Sequence, residues 1–477
     1  MQAHERKRTL PVHGAGPSVL SNRHATFPST QTTTERPLSM TSRRPLVVIL
    51  LALLAALVCG RLSSAEKMLT PKWLLWQEPV VVDGTVLSIE KKPGPHAGSS
   101  IWHRVRIDRI ARGVGLKVGE EVAVISRIYT TPPGTAGTSG HRGVWGGPNG
   151  LPTKGDRARI FASGNAQLLQ PHFTNGWQPI EPSIAFVAAD DEYRSELTMP
   201  FLAEITAKAL AATTTIHLAT DGAPSGGPNE LPKVNAKTHL TGSTGLRWSA
   251  DAIVAYMRFE QLDRSTLEDF LTPLEGGVPL VAFRTTTHAF AYPADSPHAM
   301  LNNSFGEKFL GTPWRFHHGH ASKTRILPPD SESAKHPVLA GVMIPAEGIV
   351  VPSWLYHVEP LAADCTVLLW GEAIDSDRKD APQKQPILWV RERAVDARSG
   401  RRATEKSAPA TSPASGPAPR PQRIAVSTLG HPGDFANPEV RMIAVQMIAW
   451  AVAFDRALQS AECAEIRAAT FSPPSIR

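Results

Sequence analysis

Cysteine is scarce in this chain. Cys59, Cys365 and Cys463 are the whole complement of 477 residues, too few for a disulfide framework and without the paired spacing of a thiolate metal site. One disulfide between the last two is permitted, but two buried thiols are the simpler expectation. Familiar catalytic motifs are missing as well. There is no G-x-S-x-G elbow, no P-loop, no G-x-G-x-x-G and no H-E-x-x-H, so the common serine hydrolase, nucleotide-binding and zinc hydrolase mechanisms lose their sequence support. No uncharged apolar run reaches the roughly 18–20 residues of a membrane-spanning helix.

Positive charge is plentiful only in places. The formal net charge is +7, yet residues 1–65 alone carry eight Lys/Arg against Glu5 and Glu35, and Arg391 to Arg423 holds eight more against three acids. What remains is mildly acidic, which withdraws the electrostatic case for a nucleic-acid partner. Arg43-Arg44 precede the apolar run Leu46 to Val58, and Ser63-Ser64-Ala65 follows it with small residues where a signal peptidase cuts. The expectation is a signal peptide starting at Met40 and cleaved after Ala65, giving a secreted or periplasmic protein. An uncleaved membrane anchor is the alternative.

Proline and glycine are abundant, 42 and 36 residues, and they punctuate a loop-rich globular chain. Between residues 66 and 178 they separate five short Val/Ile-rich runs, Pro79–Glu90, Ile101–Ile110, Glu121–Ile128, Arg157–Ala162 and Ala166–Leu169. Such spacing suggests a small, OB-like barrel. From residue 179 to 460 the grammar becomes strand, loop, helix, which suggests a mainly parallel sheet covered by helices on both faces. Strands are expected at Ser183–Ala189, Thr214–Leu218, Ala252–Met257, Val278–Phe283, Thr366–Trp370, Ile387–Val390 and Arg423–Thr428. A capping box at Ser265-Thr266-Leu267-Glu268 and Asn437-Pro438 mark helix starts. Residues from about 394 to 422, almost all Ser, Ala, Pro and Thr after 407, cannot bury a core and interrupt a hairpin. Residues 461–477 form a tail.

In a parallel α/β sheet, ligands bind beyond the carboxyl ends of the strands, and here those ends are polar. The first expected strand runs into Asp190-Asp191-Glu192-Tyr193, the third into Arg258, the fourth into Arg284-Thr285-Thr286-Thr287-His288, and the last into Gly430-His431-Pro432-Gly433-Asp434. Trp314 to His320 adds His317, His318 and His320, and His357 stands two residues before Glu359. Acidic residues before a helix favour its dipole, and a loop histidine is often only a hydrogen-bonding group. Convergence of four tips raises the weight of a functional site.

These blocks, together with His336 to Gly341, Leu355 to Leu361, Gln385 to Trp389 and Leu429 to Asn437, resemble the ThuA-like trehalose-utilisation family, within the class I glutamine amidotransferase-like group. The resemblance covers about Pro182 to Phe454. It implies a flavodoxin-like doubly wound fold and a small-molecule carbohydrate substrate, a trehalose-type disaccharide or a 3-keto sugar. Where an amidotransferase carries its nucleophilic cysteine this chain has Thr285-Thr286-Thr287-His288, which excludes thiolate chemistry. The N-terminal β-rich segment and the Ser/Ala/Pro insertion are departures from the family core.

Two expectations follow. In the first, a sugar-processing hydrolase, isomerase or lyase uses Asp191, Glu192, His288, His318 and His431 to exchange protons. Tyr193, Arg258, Arg284, His317, His357, Glu359 and Asp434 then bind the substrate. A variant of it places a divalent metal ion on two or three of His288, His318, His357 and His431. In the second, the same edge is a non-catalytic carbohydrate- or partner-binding module.

Overall fold

Alternating Val and Ile residues build the first body. In this computed structural model residues 75, 78–93, 99–113, 115–128, 151–165, 167–171, 176–220, 234–395, 421–453 and 457–473 are described. The expected signal segment, and the insertion between 396 and 420, lie outside the described residues.

Strands β1 (Val80–Pro93), β2 (Ser99–Arg112), β3 (Glu121–Ile128), β4 (Arg157–Gly164), β5 (Leu168–Pro171) and β6 (Trp177–Gln178) form one sheet in the order β1-β2-β3-β5-β4-β6. Antiparallel pairing of β1 with β4 closes its first five strands into a barrel, and β3–β5 is the parallel pair. Closure requires β1 to serve two neighbours, and it bends through register shifts to do so. Gly84 sits at the tight point, where a Cβ would lie 2.8 Å from the Arg106 carbonyl oxygen. Val82, Val86, Val105, Ile107, Val124 and Ile160 fill the interior. Asp83 faces Arg109 and Arg159 across both ladders and accepts from them at 2.8 and 2.7 Å while itself almost fully buried.

The second body is a nine-stranded sheet. It uses β7 (Ser183–Ala189), β8 (Thr213–Leu218), β9 (Ala252–Met257), β10 (Leu280–Phe283), β12 (Lys323–Ile326), β13 (Ile349–Val351), β15 (Cys365–Ile374), β16 (Lys384–Arg393) and β17 (Gln422–Ser427), in the order β13-β12-β15-β16-β17-β10-β9-β7-β8. A two-residue ladder, β11 (Phe316–His317) with β14 (Tyr356–His357), stands apart. Strands β7, β9 and β10 are continuous apolar runs because both of their faces are covered. The helices are α1 (Ser195–Leu210), α2 (Thr244–Trp248), α3 (Arg264–Glu275), α4 (Leu301–Phe305), α5 (Pro438–Ala451) and α6 (Ser460–Ala468). Helices α1, α5 and α6 pack on one another, as do α2 and α3.

The doubly wound, mainly parallel, flavodoxin-like sheet expected from the sequence is therefore corrected to a large mixed sheet beside a closed barrel. Five strands, β8-β7-β9-β10-β17, are parallel, but β16, β15, β12 and β13 all pair antiparallel. A parallel neighbour needs a crossover of a dozen or more residues, usually a helix. Between β12 and β17 no α-helix is described to serve as such a crossover, and β12, β13, β15 and β16 pair antiparallel. Helical cover is correspondingly thin, with only the five-residue α2 described between β8 and β9. Strands β11 to β14 escaped the sequence reading because two to four residues give no usable periodicity.

Two smaller expectations also meet the structure. Helix α3 is capped not at Ser265 but by Asp263, whose side chain accepts from the Thr266 N–H. Asn437 does cap α5, with Pro438 in the first turn. Cys365 and Cys463 are half-buried and not joined to each other.

Asp83 yields the first prediction. Burial would raise its carboxyl, but the Arg159 and Arg109 guanidiniums outweigh burial and hold it below the ordinary 3.8. The stabilisation is present above that value and lost as pH falls through the lower folded value. Asp83→Ala removes the carboxylate shared by both guanidiniums and should cost about 3–5 kcal/mol in a denaturant titration at neutral pH.

Candidate functional site

Four strand ends of the parallel half turn through the left-handed region. Arg194 (φ 52°) follows β7, Phe259 (φ 54°) follows β9, Arg284 (φ 43°) follows β10, and Gly430 (φ 147°) follows β17. Gly430 has to be glycine, since a Cβ would come within 3.1 Å of the Arg284 Cβ. Strain of this kind concentrates where a fold builds a site.

Arg284 joins these ends. It is fully buried, and its Nη1 donates to Ser353 Oγ at 3.0 Å and to the Thr428 carbonyl at 3.3 Å, while Nη2 donates to the Tyr193 hydroxyl at 3.0 Å. Its guanidinium lies 4.3 Å from the Tyr193 ring centre and 4.8 Å from that of Tyr356. Among the described residues no carboxylate touches it directly. Asp434 supplies the countercharge one bond away, accepting from the Ser353 hydroxyl and N–H and from the Gly430 N–H.

Beside β7, Asp190 is buried and held by the Tyr193 N–H and the Thr285 hydroxyl. Burial pushes its carboxyl up to about 6. Glu260, after β9, is also buried; burial raises it to about 8 against the opposing pull of Lys237, 3.3 Å away. Neither is open to a ligand. The open carboxylates are Glu192, which pairs with Arg258 at 2.6 Å, and Asp191, 3.7 Å from the same guanidinium and 3.3 Å from Lys237.

The histidines divide between environments because neighbours in a strand face opposite ways. His317 turns toward Trp354 (ring centres 5.0 Å) and His431 toward Tyr193 (6.0 Å). In each, Nδ1 accepts the N–H two residues on, from Gly319 at 3.1 Å and Gly433 at 3.0 Å. That bond assigns the proton of the neutral ring to Nε2. Burial, reinforced by the Arg284 charge, lowers both imidazoles below 6.5. His288, packed among Phe259, Trp314 and Tyr356, is pushed down to about 3 by burial and then by Arg258 and Arg284.

His318, by contrast, is buried against the Ser376 hydroxyl at 2.9 Å. His357 stacks on Phe316, and Glu359 accepts from the Gln385 amide. These three do not join the Arg284 cluster. Of the four imidazoles considered for a metal, His318 and His357 share the Phe316 ring while His288 and His431 lie elsewhere, and among the described residues no three His, Cys, Asp or Glu side chains gather as metal ligands. Of the other residues singled out in the sequence, Asp191, Glu192, Tyr193, Arg258, Arg284, His288, His317, His431 and Asp434 do come to one edge. Phe259, Lys237, Glu260, Ser353, Trp354 and Tyr356 were missed. Trp354 and Tyr356 adjoin or lie within a conspicuous block, but nothing local marks Lys237 or Glu260.

No protein-family model matches the chain, and no curated protein sequence does. Among solved structures, one from Parabacteroides merdae, provisionally named a ThuA-like protein, is similar with 11% identity and a TM-score of 0.34, over 59% of this chain and 92% of its own. A likeness of that size leaves the residues themselves to carry the argument.

The buried carboxyls predict a pH effect. Both are raised in the fold, so each contributes stability below its unfolded value and loses it as pH rises through about 6 for Asp190 and about 8 for Glu260. Buried neutral histidines act in the opposite sense below pH 6.5, so the effect is read as a difference: relative to the Asp190→Asn, Glu260→Gln double variant, the wild type should lose stability progressively in thermal melts from pH 4 to 9.

Proposed function

We propose that the chain is a secreted ThuA-like protein of carbohydrate utilisation whose strand-end site performs acid–base chemistry on a trehalose-type disaccharide or a 3-keto sugar. The supporting observation is the pair of imidazoles, His317 and His431, whose Nδ1 atoms are engaged by backbone N–H groups. Each ring offers Nε2–H as a neutral donor, and neither has a vacant basic nitrogen. They suit an oxygen on which negative charge develops, as over an enolate or a departing alkoxide.

The base then falls to Glu192, the half-buried carboxylate whose charge is felt at His317. Arg258 pairs with it at 2.6 Å and orients it. Trp354, half-buried beside His317 and His320, offers an aromatic face to the apolar side of a sugar ring. Arg284 and Asp434 hold this arrangement from beneath rather than touching the substrate. The earlier assignments of Asp191 and His288 become supporting ones, charge balance for Arg258 and packing for Phe259.

A second reading, a non-catalytic carbohydrate-binding module, draws on one observation. The strained corner after β10 carries Arg284, a residue without nucleophilic reactivity, and Glu192 is already engaged by Arg258.

Turnover of a 3-keto disaccharide separates the two. Glu192→Gln should lower kcat by ~10²–10⁴-fold with an unchanged melting temperature, and His431→Ala by ~10²–10³-fold. The acid limb of kcat/KM should lie below pH 6.5, the ordinary histidine value, because both imidazoles are depressed. Saturable sugar binding with no product from the wild type would leave the module.

A further inference from the structure

Phe259 is strained, and yet about a third of its surface stays exposed. The chain just beyond it is clamped, with Glu260 N–H donating to the Ala289 carbonyl at 2.7 Å, Ala291 N–H to the Glu260 carbonyl at 3.0 Å, and Glu260 bridged to Phe290. Phe259 N–H itself donates to the His288 carbonyl. Those bonds force the residue between β9 and the clamp to φ 54°, which glycine or asparagine takes readily and a bulky aromatic does not.

At the neighbouring tips the strain is offset. Arg284 is buried among four hydrogen bonds, and Arg194 pairs with the buried Glu196. Phe259 instead leaves 36% of its surface exposed, meeting only the Arg258 guanidinium at 4.5 Å and the His288 ring at 5.0 Å among aromatic and charged neighbours. Its ring ends a line along the strand ends: Trp354 meets Tyr193 with ring centres 6.0 Å apart, the preceding residue Glu192 pairs with Arg258 at 2.6 Å, and the Arg258 guanidinium lies over Phe259.

We propose that Phe259 is a second sugar-ring platform, separated from Trp354 by the Glu192–Arg258 ion pair, so that the site takes a two-ring carbohydrate in preference to a monosaccharide. This rests on the carbohydrate reading above and extends it to the number of rings recognised. One ring stacks near Trp354 and the histidine donors; the other stacks on the Phe259–Arg258 pair, which supplies an aromatic face and guanidinium donors together.

Calorimetric titration of the full chain with trehalose and with glucose tests it. The wild type should bind trehalose more tightly than glucose. Phe259→Gly should weaken trehalose by about tenfold, the worth of one stacking contact, and leave glucose within about twofold, while Phe259→Trp restores the preference. Because the backbone strain is relieved, Phe259→Gly should also melt at a higher temperature than the wild type. A lower melting temperature would mean that the ring is a packing element and would overturn the proposal. Equal losses for both sugars, or no loss for either, overturn it as well, while leaving the carbohydrate reading intact. A wild type that binds neither sugar sinks both.

Discussion

A guanidinium buried without a carboxylate beside it is costly, and Arg284 occupies such a position at the centre of this structure. Its charge is tolerable because hydroxyls, carbonyls and aromatic faces from three separate parts of the chain converge on it, with Asp434 reached through Ser353. The same convergence fixes the ends of β7, β10 and β17 and the loop carrying Trp354 relative to one another. Remove that charge and its partners lose the reason for their orientation: the Tyr193 hydroxyl, Ser353 and the Trp354 backbone all point inward to meet it.

The second consequence is electrostatic. Burial lowers the basicity of the imidazoles at this edge, and the buried Arg284 cation lowers it further. Backbone N–H groups then choose the tautomer of His317 and His431. A site rich in histidine is thereby made a site of neutral donors, and its basicity is left to a carboxylate at the rim. The hidden carboxyls Asp190 and Glu260, both raised by burial, stabilise the scaffold in their protonated forms rather than serving as bases.

Much of this was legible in the residues. The central strands β7 and β9 announce themselves as apolar runs with the same bounds that form, and the polar residues that follow them were found because ligands gather beyond strand ends. The hairpin of β16 and β17 was legible through its interruption, since both halves keep the β-rich pattern. The mixed character of the sheet was not, because strand direction depends on how the chain returns, and β12 and β13 are too short to register. Phe259 was passed over beside the more conspicuous Arg258: nothing in a side chain's identity reveals that its backbone is held at positive φ.

Composition and local pattern, then, determined the main strands and the polarity of the strand ends, because apolar periodicity and turn chemistry act over a few residues. Which imidazoles keep company was decided only by tertiary structure. His317 and His318 are adjacent in the chain, yet one reaches the aromatic edge and the other is buried against Ser376, since alternate side chains of an extended segment face opposite ways. The lowered basicity of the site's histidines likewise comes from burial first and from Arg284 second, and both act through space rather than along the sequence.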